Sequence, residues 1–111
     1  MEPVGIDAVE VWTGKLKLDL PETFAPQKGE DPDKYRKGIG LVGSSFPDLY
    51  EDIVTMGANA AKRLMDRKGL TPEDIGRIDV ATESAFDNSK PVSTYIAGCL
   101  EQYFDGEFRH A

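Results

Sequence analysis

Apolar residues at Val4, Ile6, Ala8, Val9, Val11 and Trp12 crowd the first dozen positions and read as a mostly buried strand, which Thr13-Gly14 breaks. Lys15 to Leu20 then alternates strictly between charged and apolar side chains, the period of a strand with one face in water. Pro21 to Ala25 predicts a short helix with Pro in its first turn, closed by Pro26. Gln27 to Ser45 is loop-rich, apart from one capped helical turn in which Asp31 is the N-cap and Pro32 takes the first helical position.

The strongest helical pattern runs from Glu51 to Lys68. Ile53, Met56, Ala60 and Leu64 recur at three- and four-residue steps, with Ala61 and Met65 flanking the stripe. Glu51 and Asp52 stand at its positive end, while Arg63, Arg67 and Lys68 stand at its negative end. Gly69 is the expected left-handed residue just past it. Gly57, Ala58, Ala60 and Ala61 are small enough to admit another backbone closely, and Met56 and Met65 read as core filler. Leu70 to Ile75 predicts a short turn with Thr71 as N-cap and Pro72 at the first position, followed by a strand at Arg77–Thr82. A final helix is expected over Pro91 to Tyr103, with Val92, Ile96, Cys99, Leu100 and Tyr103 inward. Two strands, a helix, a strand and a helix make an α/β pattern. Two such helices cannot be covered by three strands without leaving apolar surface open, so partners beyond these elements are expected.

At 111 residues the chain is expected to be one domain with a single core. No apolar run approaches the ~20 residues a membrane-crossing helix needs. Met1 to Ile6 has neither a basic stretch nor an apolar one, so no signal peptide is expected and the reading is cytoplasmic. One Cys, Cys99, and one His, His110, exclude an intrachain disulfide and any clustered zinc ligand set. Cys99 falls in a helical apolar pattern and reads as a small hydrophobe. The net charge of -7 argues against nucleic acid as the main partner; adaptation to high salt is one cause of such a surplus. Basic clusters remain at Lys34, Arg36 and Lys37 and at Lys62, Arg63, Arg67 and Lys68, the second of which reads as a solvated face.

Candidate chemistry centres on Glu83. It follows the strand at Arg77–Thr82 and precedes the polar turn Asp87-Asn88-Ser89-Lys90. The C-terminal lip of a strand is where α/β folds bind ligands, and partial burial there would raise a carboxyl pKa toward the range useful for proton transfer. A solvated loop Glu fits the position equally well. Gly38-Ile39-Gly40-Leu41-Val42-Gly43 is glycine-rich, but it opens no helix and lacks the G-x-G-x-x-G spacing, so it is not read as a nucleotide site.

Three segments together resemble the hydroxymethylglutaryl-CoA synthase family. They are Asp31-Pro32-Asp33-Lys34-Tyr35 leading into Gly38-Ile39-Gly40; Glu51 to Lys62; and Ile75 to Ser84, with Arg77-Ile78-Asp79-Val80-Ala81-Thr82-Glu83 at its centre. Val4-Gly5-Ile6 and Asp87 to Thr94 also fit, so the likeness covers nearly the whole chain in order, and the acidic balance looks like salt-adapted archaeal members. The resemblance implies a thiolase-like fold of two similar α/β halves, usually a homodimer, with this chain as the first part of the first half. It implies an acyltransferase of the mevalonate route to isoprenoids, needing no cofactor because acetyl-CoA and acetoacetyl-CoA are its substrates. A cysteine takes an acetyl group, a glutamate removes a methyl proton, the carbanion attacks acetoacetyl-CoA, and water releases the product.

On that resemblance Glu83 is the general acid/base. Asp31 and Pro32 fall where the family contacts acyl-CoA, and Lys34 is within reach of the same region for a CoA phosphate, if it is not simply a surface charge. The family's nucleophilic cysteine comes after the helix that follows the glutamate, beyond Ala111, and its histidine later still. Cys99 and His110 therefore do not take those roles. These residues hold one member of the catalytic trio, and a truncated piece of the enzyme is expected. Two other readings stay open: a relative acting on carrier-protein-bound acyl groups in polyketide β-branching, and a non-catalytic acidic α/β module binding a partner through the Ile53–Leu64 face.

Overall fold

A two-stranded antiparallel ladder organises residues 13–51, one of two compact units in the chain. The computed structural model describes all 111 residues. β1 (Leu16–Asp19) pairs with β2 (Gly43–Phe46) in the register Leu16 to Phe46 and Asp19 to Gly43. β1 follows its alternating pattern. β2 lies in the stretch expected to be loop, because Gly-Ser-Ser-Phe has no periodic signal of its own and is a strand only by pairing. A Cβ at Gly14 would lie 2.2 Å from the Phe46 carbonyl oxygen, so this end of the ladder admits only glycine.

Asp19 accepts a hydrogen bond from the Glu22 amide at 2.7 Å and starts a π-helical turn over Leu20–Phe24 that runs into α1 (Ala25–Lys28). Pro26 does not close the helix as expected. It lies within the helical run that continues from Leu20, and Gly29, at φ 67, is the terminator. Asp31 caps the next turn, accepting from the Asp33 amide at 2.9 Å. Pro32 and Asp33 are helical and lead into a second π-helical stretch, Lys34–Ile39, ended by Gly40 at φ 76. Leu20, Ala25 and Tyr35 form the small buried cluster of this unit.

The other unit comprises Met1–Trp12 and Asp52–Ala111. α2 (Ile53–Lys68) starts at a capping box, the Asp52 side chain accepting from the Thr55 amide and the Thr55 hydroxyl from the Asp52 amide, both at 2.8 Å. Gly69 closes it at φ 66. A 3-10 turn, Pro72–Asp74, is capped by Thr71 as the sequence predicts. α3 (Val92–Phe104) packs along α2. Val54, Met65, Val92, Ile96 and Leu100 are buried between them, with Ala58, Ala61 and Val80 against the cluster. The buried edge of α2 is therefore Val54–Ala58–Ala61–Met65; of the expected Ile53–Met56–Ala60–Leu64 stripe only Ile53 packs on the cluster, while Ala61 and Met65, expected to flank it, lie inward. Gly57 explains the difference: a Cβ there would lie 2.6 Å from Ile96 Cδ1, so the helices approach closest on its side. Cys99 and Tyr103, expected inward, are exposed; α3 buries Val92, Ile96 and Leu100 instead, and Tyr103 lies at the rim of the α2 contact, its hydroxyl donating to Asp66 at 3.3 Å.

Val4–Trp12 is not a buried strand. It pairs with no other strand, and Val4 and Ile6 are 96% and 89% exposed. Side chains of α2 hold this segment instead. Arg63 donates to the Val11 carbonyl at 3.2 Å and Arg67 to the Val9 carbonyl at 2.7 Å, while Arg67 also meets Glu10 and Lys68 meets Asp7. The Arg63 guanidinium lies 4.5 Å from the Trp12 ring centroid. The basic cluster read as a solvated face thus satisfies backbone carbonyls that no neighbouring strand serves. Arg77–Thr82 likewise pairs with nothing, but Ile78 and Val80 alternate inward and its strand-like pattern shows in its burial. The single expected core is replaced by two clusters.

Candidate functional site

Glu83 lies in the unit of Met1–Trp12 and Asp52–Ala111, whereas Asp31, Pro32 and Lys34 lie in the unit of residues 13–51. The loop around Glu83 is built from both of its ends. On the entry side Val80 packs on the α2–α3 cluster, and the Thr82 hydroxyl accepts from the Ser84 amide at 3.0 Å. On the exit side Asp87 Oδ1 accepts from the amides of Ser89 and Lys90 at 2.8 and 3.2 Å, an Asx turn. Asp87 Oδ2 accepts from the Tyr95 hydroxyl at 2.6 Å. The Tyr95 ring has two further neighbours, its centroid 4.9 Å from that of the tilted Phe86 ring and 4.1 Å from the Lys90 ammonium.

These bonds set the electrostatics. The Tyr95 hydroxyl, and after it the Ser89 and Lys90 amides, hold the Asp87 carboxyl below the usual carboxylate range. The same bond raises the Tyr95 phenol, because ionising it would place two negative charges together. Thr82 and Ala85, on either side of Glu83 in the chain, line a concavity of ≈ 320 Å³ with the polar run 87–91 and the start of α3. Glu83 itself is exposed, against the expected partial burial. The segment before it has no neighbouring strand and nothing closes over the loop. A carboxylate beside a polar concavity can accept a proton, but effective base work on a carbon acid needs water excluded.

In the unit of residues 13–51 Asp31 is exposed and Pro32 half-buried. Asp31 is committed to its capping bond. Lys34 is not a free cation: its ammonium sits 2.9 Å from Glu30 Oε1, which raises its pKa. The buried Tyr35 donates its hydroxyl to the other Glu30 oxygen. Tyr35 and then Lys34 hold the Glu30 carboxyl low. Nowhere do three or more His, Cys, Asp or Glu side chains gather in a way that could hold a metal ion. No helix is long and apolar enough to cross a membrane.

Sequence reasoning missed Tyr95 and the role of Asp87. The Asp-x-Ser-Lys run was a visible signal for an Asx turn. Nothing local marked Tyr95, whose partner lies eight residues away.

Comparison with known proteins adds the following. Residues 1–107 match the family described as hydroxymethylglutaryl-coenzyme A synthase N terminal. The chain is 84% identical over its whole length to the hydroxymethylglutaryl-CoA synthase of Haloferax volcanii, covering 25% of that protein. It is 33% identical over 99 residues, 89% of its length, to the cytoplasmic hydroxymethylglutaryl-CoA synthase of Gallus gallus, covering 19% of it. Among solved structures, MvaS in complex with 3-hydroxy-3-methylglutaryl coenzyme A superposes with a TM-score of 0.82 at 36% identity, over 87% of this chain and 23% of that one. The chain thus spans about a quarter of the length of the relatives it matches. Over the matched part the fold is thiolase-like.

Proposed function

The chain belongs to the hydroxymethylglutaryl-CoA synthase family, and on that premise we propose that it contributes the acid/base carboxylate and part of the acyl-CoA site to the condensation of acetyl-CoA with acetoacetyl-CoA. The observation that carries the reading is its likeness, over 87% of the chain, to an enzyme held with the product of that condensation. The chain itself stands as the N-terminal portion of a thiolase-like domain in this proposal.

Glu83 removes a proton from the methyl of an enzyme-bound acetyl thioester. The carbanion adds to the C3 carbonyl of acetoacetyl-CoA, the resulting alkoxide takes up a proton, and water cleaves the thioester to give 3-hydroxy-3-methylglutaryl-CoA. A methyl beside a thioester is a weak acid, so the base must be close, aligned and poorly solvated. The exposed Glu83 meets the last condition only when further protein and the bound acyl group cover the concavity beside it. Asp31 and Pro32 contact the acyl-CoA in this reading, and Lys34 meets a CoA phosphate only by leaving Glu30. No cofactor is called for. The cytoplasmic location and homodimeric state belong to the same proposal and are supported by the family likeness; the chicken relative carries "cytoplasmic" in its name.

The test is to incubate the full-length gene product with both acyl-CoA substrates and follow product formation. Glu83→Gln should lower kcat by about 10²–10⁴-fold, the usual worth of a positioned acid/base group. No condensation by either protein would favour the non-catalytic module. Turnover only with a carrier-protein-bound acetyl group would favour the β-branching relative.

A further inference from the structure

We propose that Tyr95 is a positioning residue for Glu83 and acts through Asp87. The inference rests on reading Glu83 as the acid/base group. Tyr95 sits in the first turn of α3, a helix anchored by Val92, Ile96 and Leu100, and its own ring packs on that cluster. Its hydroxyl reaches Asp87 Oδ2 at 2.6 Å, while Asp87 Oδ1 closes the turn onto Ser89 and Lys90. One carboxylate therefore ties the exit of the Glu83 loop to a rigid helix. The entry is tied to the same cluster through Val80. Glu83 lies between these two anchor points, and its placement is set through the backbone they hold.

Pinning both ends removes conformations the loop would otherwise sample. A base displaced by about 1 Å loses on the order of a hundredfold in rate, so an anchor remote from the substrate can act on kcat. Tyr95 suits the task because its ring cannot easily turn away. Phe86 packs against it and the Lys90 ammonium lies over it. The three donors on Asp87 keep its carboxyl ionised well below neutral pH, so the tie stays closed wherever Glu83 could act as a base.

The experiment compares Tyr95→Phe, Asp87→Asn, the double variant and Glu83→Gln in the full-length gene product. Tyr95→Phe keeps the ring and removes only the hydroxyl. Its kcat should fall about tenfold while KM for each acyl-CoA stays within about twofold. The double variant should be no slower than the slower single one, because both remove the same tie. An unchanged kcat in Tyr95→Phe, a loss that disappears on correcting for the folded fraction, or single effects that multiply in the double variant would each overturn the inference. If Tyr95→Phe does not fold, Asp87→Asn carries the same kcat-against-KM test, since it keeps an acceptor for the amides and weakens the phenol bond. Glu83→Gln separates the two levels. Full turnover in it sinks the acid/base reading, whereas loss there with no effect of Tyr95→Phe sinks only the positioning role.

Discussion

Asp87 and Glu30 are two carboxylates each held by a tyrosine hydroxyl. Asp87 is held low first by the Tyr95 hydroxyl, Glu30 first by the Tyr35 hydroxyl. A carboxyl lowered by folding binds fewer protons in the folded chain than in the unfolded one. Its contribution to stability is complete above the ordinary values, about 3.9 for Asp and 4.3 for Glu, and is lost as pH falls through the lowered ones. The melting temperature should therefore drop between about pH 5 and pH 3, and less steeply in Tyr95→Phe and Tyr35→Phe than in the parent. Equal slopes in all three would show that these bonds do not carry the effect. Asp87 was legible from its sequence as a turn residue and Glu83 as a carboxylate after a strand-like run. That Asp87 bonds a tyrosine, that Glu83 is open to water and that Lys34 is spent on Glu30 were not legible, since each depends on which side chains fold back upon it.

At the scale of the element, ends were easier to read than faces. Gly69, Thr71-Pro72 and the Asp31 cap act within three or four residues of themselves and stand where the sequence placed them, whereas α2 starts at Ile53 behind an Asp52 cap and not at Glu51. The buried face of α2 was misjudged because apolar and small residues occur on two neighbouring stripes. Gly57 decides between them by letting α3 come close. Filling that gap should be costly: Gly57→Leu is expected to destabilise the gene product by about 1–3 kcal/mol in urea unfolding, as overpacked helix contacts do. Ile96→Ala in the same background should recover part of it, and a Gly57→Leu protein as stable as the parent would remove the close-approach account. β2 shows the opposite failure, a strand with no pattern of its own.

For the whole molecule, the apolar N-terminal segment is the most telling feature. Val4, Ile6, Val9 and Val11 are 96%, 89%, 69% and 64% exposed, in a segment whose backbone meets no other strand. An uncovered apolar edge of this kind invites pairing with another chain. The 111-residue chain alone should self-associate at micromolar concentration in sedimentation velocity, and Val4→Asp with Ile6→Asp should reduce it; a clean monomer with a sharp two-state melt would contradict this. The sequence by itself determined the Gly69 stop, the Thr71 and Asp31 caps, the alternation of β1, the acidic charge and the run of motifs that carries the family likeness, because each depends on residues a few positions apart. Tertiary structure alone decided which helix face is buried, that Arg67 serves a carbonyl 58 residues away, and how the Glu83 loop is tied to α3. Burial and pairing are properties of what arrives next to a residue in space, and no local pattern specifies that neighbour.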